Sequence, residues 1–179
     1  LHDYAKIKRV IVSTYQAVSG AGSKGIHDLD NQTKALGKGE PLPPFEKFPY
    51  QIAYNVLPHI DVFEDNGYTK EEMKMTNETM KIMGDRSIKV SATCVRVPVL
   101  RAHSESVWIE TEKELTPQKA RELLSTAKGV EVIDNPAENK YPMPLFAQNQ
   151  QKTFVGRIRK DISCDNGLTF WVVSDNLLK

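Results

Sequence analysis

The sequence predicts an α+β domain: a mixed, mostly antiparallel sheet with helices against one face and the other face free for a partner. Three observations carry that expectation. β-Branched runs and segments of helical periodicity alternate along the chain instead of falling into blocks. Residues 154–161 and 168–174 are two such runs, joined by Cys164-Asp165-Asn166-Gly167, whose Asn-Gly signals a hairpin and so at least one antiparallel pair. The length, 179 residues, suits one sizeable core, or at most a domain with a subdomain.

Residues 8–15, K-R-V-I-V-S-T-Y, read as a strand running into the small-residue turn Ser19-Gly20-Ala21-Gly22, and a helix is expected over 25–36. Strand, tight turn and helix can present backbone N–H groups to an anionic or ribose-bearing ligand. Yet the G-x-G lacks the third glycine of a dinucleotide fingerprint, and a plain turn accounts for the same residues. Residues 37–58 are loop-like, with five prolines among Phe45, Phe48, Tyr50 and Tyr54; that apolar weight predicts a wrapping or dimer-contact loop. Thr69 and Glu72 make a capping box for a helix over 70–83, which Gly84 ends. Residues 87–112 read as two strands, or as one broken near Pro98, with Cys94 a small buried hydrophobe. Thr116-Pro117 opens a helix over 117–127, threonine capping and proline taking the first helical position. A short strand at 130–133 and an extended or turn segment at Tyr141-Pro142-Met143-Pro144 follow, and S-D-N-L-L-K, closing on Lys179, reads as helical.

Composition narrows the function. With 24 basic and 23 acidic residues there is no overall electrostatic reason for a nucleic acid or an anionic membrane, and no apolar run reaches the length of a membrane span. A small molecule or a protein is the expected partner. Cys94 and Cys164 form neither a metal-spacing motif nor a disulfide framework, and no metal is expected. They fit a reducing, cytoplasmic setting. A plastid stays open, because a targeting peptide would lie upstream of Leu1, and both ends read as cuts through a longer polypeptide.

The chemistry-bearing stretch is 95–107, V-R-V-P-V-L-R-A-H-S-E-S-V. Arg96 can hold a carboxylate with two parallel hydrogen bonds, and His103 is suited to move a proton near neutral pH. Their separation is odd, so one unbroken strand would point them to opposite faces. Pro98 supplies the bend, bulge or strand end that could return them to a common pocket. On the residues alone, both also read as surface or satisfied-core side chains. Glu71 and Lys74 share a helix face, where they could meet the two charges of a zwitterionic ligand or simply each other.

The motifs S-T-Y-Q-A-V-S-G-A-G, E-E-M-K, C-V-R-V-P-V-L-R-A-H-S-E-S-V, Y-P-M-P, V-G-R-I-R-K-D and S-D-N-L-L-K run in order through essentially the whole chain. Together they resemble the aspartate-semialdehyde dehydrogenase family, and within it the second, substrate-binding and dimerisation domain. The resemblance implies a glyceraldehyde-3-phosphate-dehydrogenase-like C-terminal domain over residues 1–179 and a homodimer formed through it. It also implies NADP-dependent reductive dephosphorylation of β-aspartyl phosphate to aspartate β-semialdehyde, a step of amino-acid biosynthesis. In that chemistry a cysteine thiolate holds the acyl group as a thioester, hydride passes to or from the nicotinamide, and phosphate attacks or leaves. By the same resemblance His103 is the general acid/base, Arg96 the clamp on the α-carboxylate, and Glu71 the partner of the substrate ammonium. Lys74 contributes to phosphate or carboxylate binding, and Gln16 orients the substrate. Ser19, Gly20, Ala21, Gly22 and Ser23 match the turn that touches the nicotinamide half of the cofactor, and Asn176 a further cofactor contact.

The family places its nucleophilic cysteine in a dinucleotide-binding domain upstream of S-T-Y-Q, and a helix after S-D-N-L-L-K; residues 1–179 include neither, and Cys94 and Cys164 match no nucleophile motif. The expectation is a domain with the acid/base and half the substrate site, inert alone and active within its parent. A non-catalytic homologue retained for dimerisation is the competing reading, separable by whether the parent has the thiol. A reductase for N-acetylglutamyl phosphate fits less well, because Glu71 would have no ammonium to meet.

Overall fold

The computed structural model describes residues 1–178. Its strands are β1 (Ile7–Gln16), β2 (Lys89–Arg96), β3 (His103–Thr111), β4 (Val130–Val132), β5 (Thr153–Lys160) and β6 (Gly167–Ser174), and its helices α1 (His2–Ala5), α2 (Ser23–Lys38), α3 (Lys70–Met83), α4 (Pro117–Ser125) and α5 (Pro144–Ala147). Among the described residues the strands form one sheet in the order β2-β1-β3-β6-β5-β4. The pairs β1·β3, β3·β6 and β5·β6 are antiparallel, while β1·β2 and β4·β5 are parallel, so the sheet is mixed and mostly antiparallel, as expected. Residues 87–112 resolve into two strands that lie on either side of β1.

Register sorts the side chains. Val12 on β1 faces Ala92 on β2 and Val107 on β3, and with Ile109 and Leu168 they form one apolar face. Met75 of α3 and Ala120, Leu123 and Leu124 of α4 pack on that face and close the main core. Full burial of a Val, Ile or Leu side chain, as at Val12, Val107, Ile109 and Leu168, contributes about 1.5–3 kcal/mol. The opposite face carries Ile11, Tyr15, Trp108 and Trp171. Ile11 and Tyr15 remain 42% and 37% exposed, and the Tyr15 and Trp171 rings lie 5.3 Å apart between centroids. The β5/β6 side of this face is covered, by Ile133 and Ala147 against Phe154 and Val173.

Local signals explain the long helices. Thr69 Oγ1 accepts from the Glu72 N–H and Glu72 Oε2 from the Thr69 N–H, while the second Glu72 oxygen accepts from the Cys94 N–H at 2.9 Å. The capping box therefore also ties the start of α3 to β2. Gly84 ends the helix in the left-handed conformation. Thr116 accepts from the Lys119 N–H, but α4 stops at Ser125, short of the expected 127.

Several expectations change. Residues 141–143 are free of helix and strand, in keeping with the extended or turn segment expected at 141–144, but Pro144 begins a single helical turn, α5, that was not expected. Residues 176–178 form a turn rather than a helix, and Lys179 lies outside the described residues. The β5–β6 hairpin is present, yet Gly167 has no positive φ. It is required for space, since a β-carbon there would lie 2.6 Å from Asp161 Cβ. The proline-rich loop wraps onto α2. The buried Asp28 carboxylate accepts the N–H groups of Glu46, Lys47 and Phe48, and Gln32 Oε1 those of Ile52 and Ala53. Phe48, Ile52 and Leu57 complete a second core with Val18 and Leu29, whereas Tyr50 and Tyr54 stay exposed.

Candidate active site

Three strand ends meet at one corner of the sheet. Gln16 and Arg96 are register partners at the last positions of the parallel strands β1 and β2. His103 opens β3 one position beyond Ser104, which pairs with Tyr15. Face is set by register against β1, not by counting along the chain, so the odd spacing of Arg96 and His103 does not part them. Residues 97–102 carry the chain from β2 across β1, turning at Ala102 with φ 73°. The two side chains converge at Gly20, where a β-carbon would lie 3.0 Å from Arg96 Nη1 and 3.3 Å from both Cε1 and Nε2 of His103. Glycine is needed there for room rather than for an unusual φ.

Ala17 binds both side chains through its backbone. Its carbonyl accepts from Arg96 Nη1 at 2.7 Å and its N–H donates to His103 Nδ1 at 3.1 Å. Nothing in the sequence marks Ala17, because the groups that act are common to every residue. The capping box places Glu71 in the first turn of α3, where Oε1 accepts from Gln16 Nε2 at 3.2 Å and Oε2 lies 3.8 Å from Lys74 Nζ. Gln16 and Arg96 are buried, Glu71 is largely covered and Lys74 reaches into solvent.

Ser19, Gly20 and Ala21 lie in a 3-10 turn, Val18–Ala21, which Gly22 connects to Ser23 at the start of α2. Much of the turn's hydrogen bonding is internal: the N–H groups of Val18 and Ser19 go to Val99 and Leu100, that of Gly20 to Ala17 and that of Gly22 to Ser19. Asn176 pins the turn, its Oδ1 accepting from the Ala102 N–H at 2.9 Å and its Nδ2 donating to Ser19 Oγ at 3.0 Å. A β-carbon on Gly22 would meet open space, so the crowding at Gly20 does not extend to Gly22.

Burial sets the electrostatics. It pushes the His103 imidazole down to about 4; the Arg96 charge acts in the same direction and the Asp175 carboxylate against it. Burial also lowers Arg96, offset by Glu71 and Cys94, although a guanidinium stays charged at any working pH. Asp175, beside Asn176, escaped the sequence reading. Burial pushes it up, but the Leu177 N–H, Arg101 and the Asn149 N–H outweigh that and hold it below the usual carboxylate range. Burial raises the Cys94 thiol to about 11, in keeping with a small buried hydrophobe. Among the described residues no group of three or more His, Cys, Asp or Glu side chains could hold a metal ion, and no helix is long and apolar enough to cross a membrane.

Residues 1–179 match the family model described as semialdehyde dehydrogenase, dimerisation domain. The chain is 62% identical to an aspartate-semialdehyde dehydrogenase of Aquifex aeolicus, matching 100% of this chain and 53% of that protein. It is 51% identical to the enzyme of the same name from Bacillus subtilis, over 97% of this chain and 52% of that protein. A crystal structure of aspartate semialdehyde dehydrogenase II complexed with ASA, from Vibrio cholerae, superposes with a TM-score of 0.93 at 44% identity, covering 98% of this chain and 52% of that one. The chain thus spans about half the length of the curated relatives it matches. Sequence, topology and full-length coverage agree: the chain belongs to the semialdehyde dehydrogenase dimerisation domain family.

Proposed function

We propose that the chain is the substrate-binding and dimerisation domain of an NADP-dependent aspartate-β-semialdehyde dehydrogenase, which reductively dephosphorylates β-aspartyl phosphate. The observation that carries this reading is the convergence of Arg96, His103, Gln16 and Glu71 at one corner of the sheet. An amino-acid substrate needs a cation for its carboxylate and an anion for its ammonium. Arg96 and Glu71 supply them, with Lys74 available to a second anionic group. The Ala17 carbonyl takes one N–H of Nη1 and leaves other guanidinium donors for a carboxylate. Gln16, held by Glu71, orients the substrate, and His103 is the acid/base group for the reacting oxygen and thiol.

NADP supplies hydride chemistry when bound. Within this chain the narrow space at Gly20, flanked by Ser19 and Ala21, with Asn176 bonded to Ser19 and with Gly22 and Ser23 leading on into α2, fits one wall of such a site rather than a whole one. The nucleophilic cysteine and the rest of the cofactor site belong, on this reading, to a further domain of the parent. A homodimer is proposed through the uncovered sheet face of Ile11, Tyr15 and Trp108, which is apolar enough to be a partner surface. A cytoplasmic setting is proposed from the two free cysteines, and the bacterial relatives give a plastid no support.

The test is phosphate-dependent reduction of NADP by aspartate β-semialdehyde, using the polypeptide extended upstream of Leu1 and downstream of Lys179. Activity that requires phosphate supports the acyl-enzyme route. A folded, dimeric and inactive parent would leave the non-catalytic homologue as the better reading.

A further inference from the structure

We infer that Glu72 is a positioning residue, acting through Glu71: it sets the separation between the two charges that hold the substrate, and so decides how well an α-amino acid fits. The inference rests on the dehydrogenase reading, in which Glu71 meets the ammonium and Arg96 the α-carboxylate. Those charges stand on different elements, Glu71 in the first turn of α3 and Arg96 at the last position of β2. They can serve one ligand only if the start of the helix is fixed against the strand.

β2 is an edge strand, the last in the sheet order, so a row of its backbone groups faces away from β1. That row is answered at two points. Arg96 exchanges both of its backbone bonds with Leu57, at 2.8 and 2.9 Å. Cys94, two residues earlier and fully buried, gives its N–H to Glu72 Oε1 at 2.9 Å. The other oxygen, Oε2, accepts from the Thr69 N–H at 2.8 Å. One buried carboxylate thus joins the cap of the helix that carries the anion to the strand that carries the cation.

The remaining ties of Glu71 are looser. Gln16 Nε2 lies 3.2 Å away, and the Lys74 Nζ, on a side chain that reaches into solvent, 3.8 Å. The Tyr68 hydroxyl meets Ser91 Oγ at 3.1 Å, but that contact is exposed. Both groups bonded to the Glu72 carboxylate are donors, so the side chain must accept at both ends. Glutamine would turn its NH₂ on one of them, and aspartate, one methylene shorter, cannot span the two. In either variant the start of α3 loses its hold on β2. Arg96 keeps its bonds to Leu57 and to the Ala17 carbonyl, so the anion moves against a fixed cation.

The experiment uses the polypeptide extended to an active enzyme and two ligands: aspartate β-semialdehyde, and succinic semialdehyde, which has the same skeleton without the ammonium. In Glu72→Gln the Michaelis constant for aspartate β-semialdehyde should rise about tenfold with kcat within about twofold. The affinity for succinic semialdehyde, measured by competition, should stay as it was, because Arg96 has not moved. Thr69→Ala removes the hydroxyl half of the capping box and leaves the bond from Cys94; it should lower the urea midpoint and move neither constant. Should Glu72→Gln be too unstable to assay, Glu72→Asp carries the same expectation. An unchanged Michaelis constant in a folded Glu72 variant, or equal weakening of both ligands, overturns the inference alone. An unsubstituted polypeptide with no activity overturns the dehydrogenase reading and this inference with it.

Discussion

The corner that holds His103 and the proline-rich loop on α2 solve opposite problems. At the corner, charged and polar side chains are held still by backbone: one residue, Ala17, grips Arg96 with its carbonyl and His103 with its N–H. In the loop, backbone is held still by side chains: Asp28 and Gln32 collect five N–H groups that no ladder pairs. Where charged side chains converge, the main chain is the scaffold. Where a long irregular segment must be kept in place, buried polar side chains take over that task. Chemical effects should therefore concentrate at the corner and stability effects at the loop.

Substitutions can break that contrast. The largest effect is expected at the corner, in the polypeptide extended to an active enzyme. His103→Ala should lower turnover by about 10²–10⁴-fold with modest change in substrate affinity. Arg96→Lys should chiefly raise the Michaelis constant, because the planar fork is lost. Steady-state kinetics would refute the assignments if His103→Ala turned over normally or Arg96→Lys bound substrate unchanged.

Next is Asp28→Ala, which strands three N–H groups and should cost about 3 kcal/mol in urea denaturation. The folded variant should keep its turnover; a loss of activity without a loss of stability would erase the distinction drawn here. Gly20→Ala sharpens the contrast from the other side. Its β-carbon must push Arg96 and His103 by a few tenths of an ångström, so kcat/KM should fall about tenfold while stability changes by about 1 kcal/mol or less. The smallest effect is at Cys94. With its thiol raised to about 11, it stays protonated near pH 8, and an alkylating reagent should modify Cys164 in the native protein and leave Cys94 untouched. Equal labelling of both would contradict the burial described for Cys94.

What the sequence disclosed follows the range of each signal. Thr69, Glu72 and Gly84 delimit α3 to the residue, because a capping box and a left-handed cap are complete within a few positions. The single turn α5 is too short for periodicity to register. The pairing of Arg96 with His103 was readable only as a possibility, since it depends on β1 lying between their strands. Asp28 and Gln32 look like ordinary polar positions of an amphipathic helix until the loop folds over them. The roles proposed for Glu71 and Lys74 rest on family motifs, their spacing alone being equally that of a surface pair. Ala17 was beyond any reading of residue types.

The parallel pairing of β1 with β2 carries a kinetic consequence. The bond from Arg96 to Ala17 joins residues 79 apart, that from His103 to Ala17 residues 86 apart, and that from Ser19 to Asn176 residues 157 apart. Contacts this distant in sequence wait on the closure of long loops, whereas α3 and the β5–β6 hairpin can form from neighbours. The corner is therefore expected to assemble late in folding, so that a chain still searching for its native state carries its helices and hairpin well before Arg96, His103 and Ala17 come together.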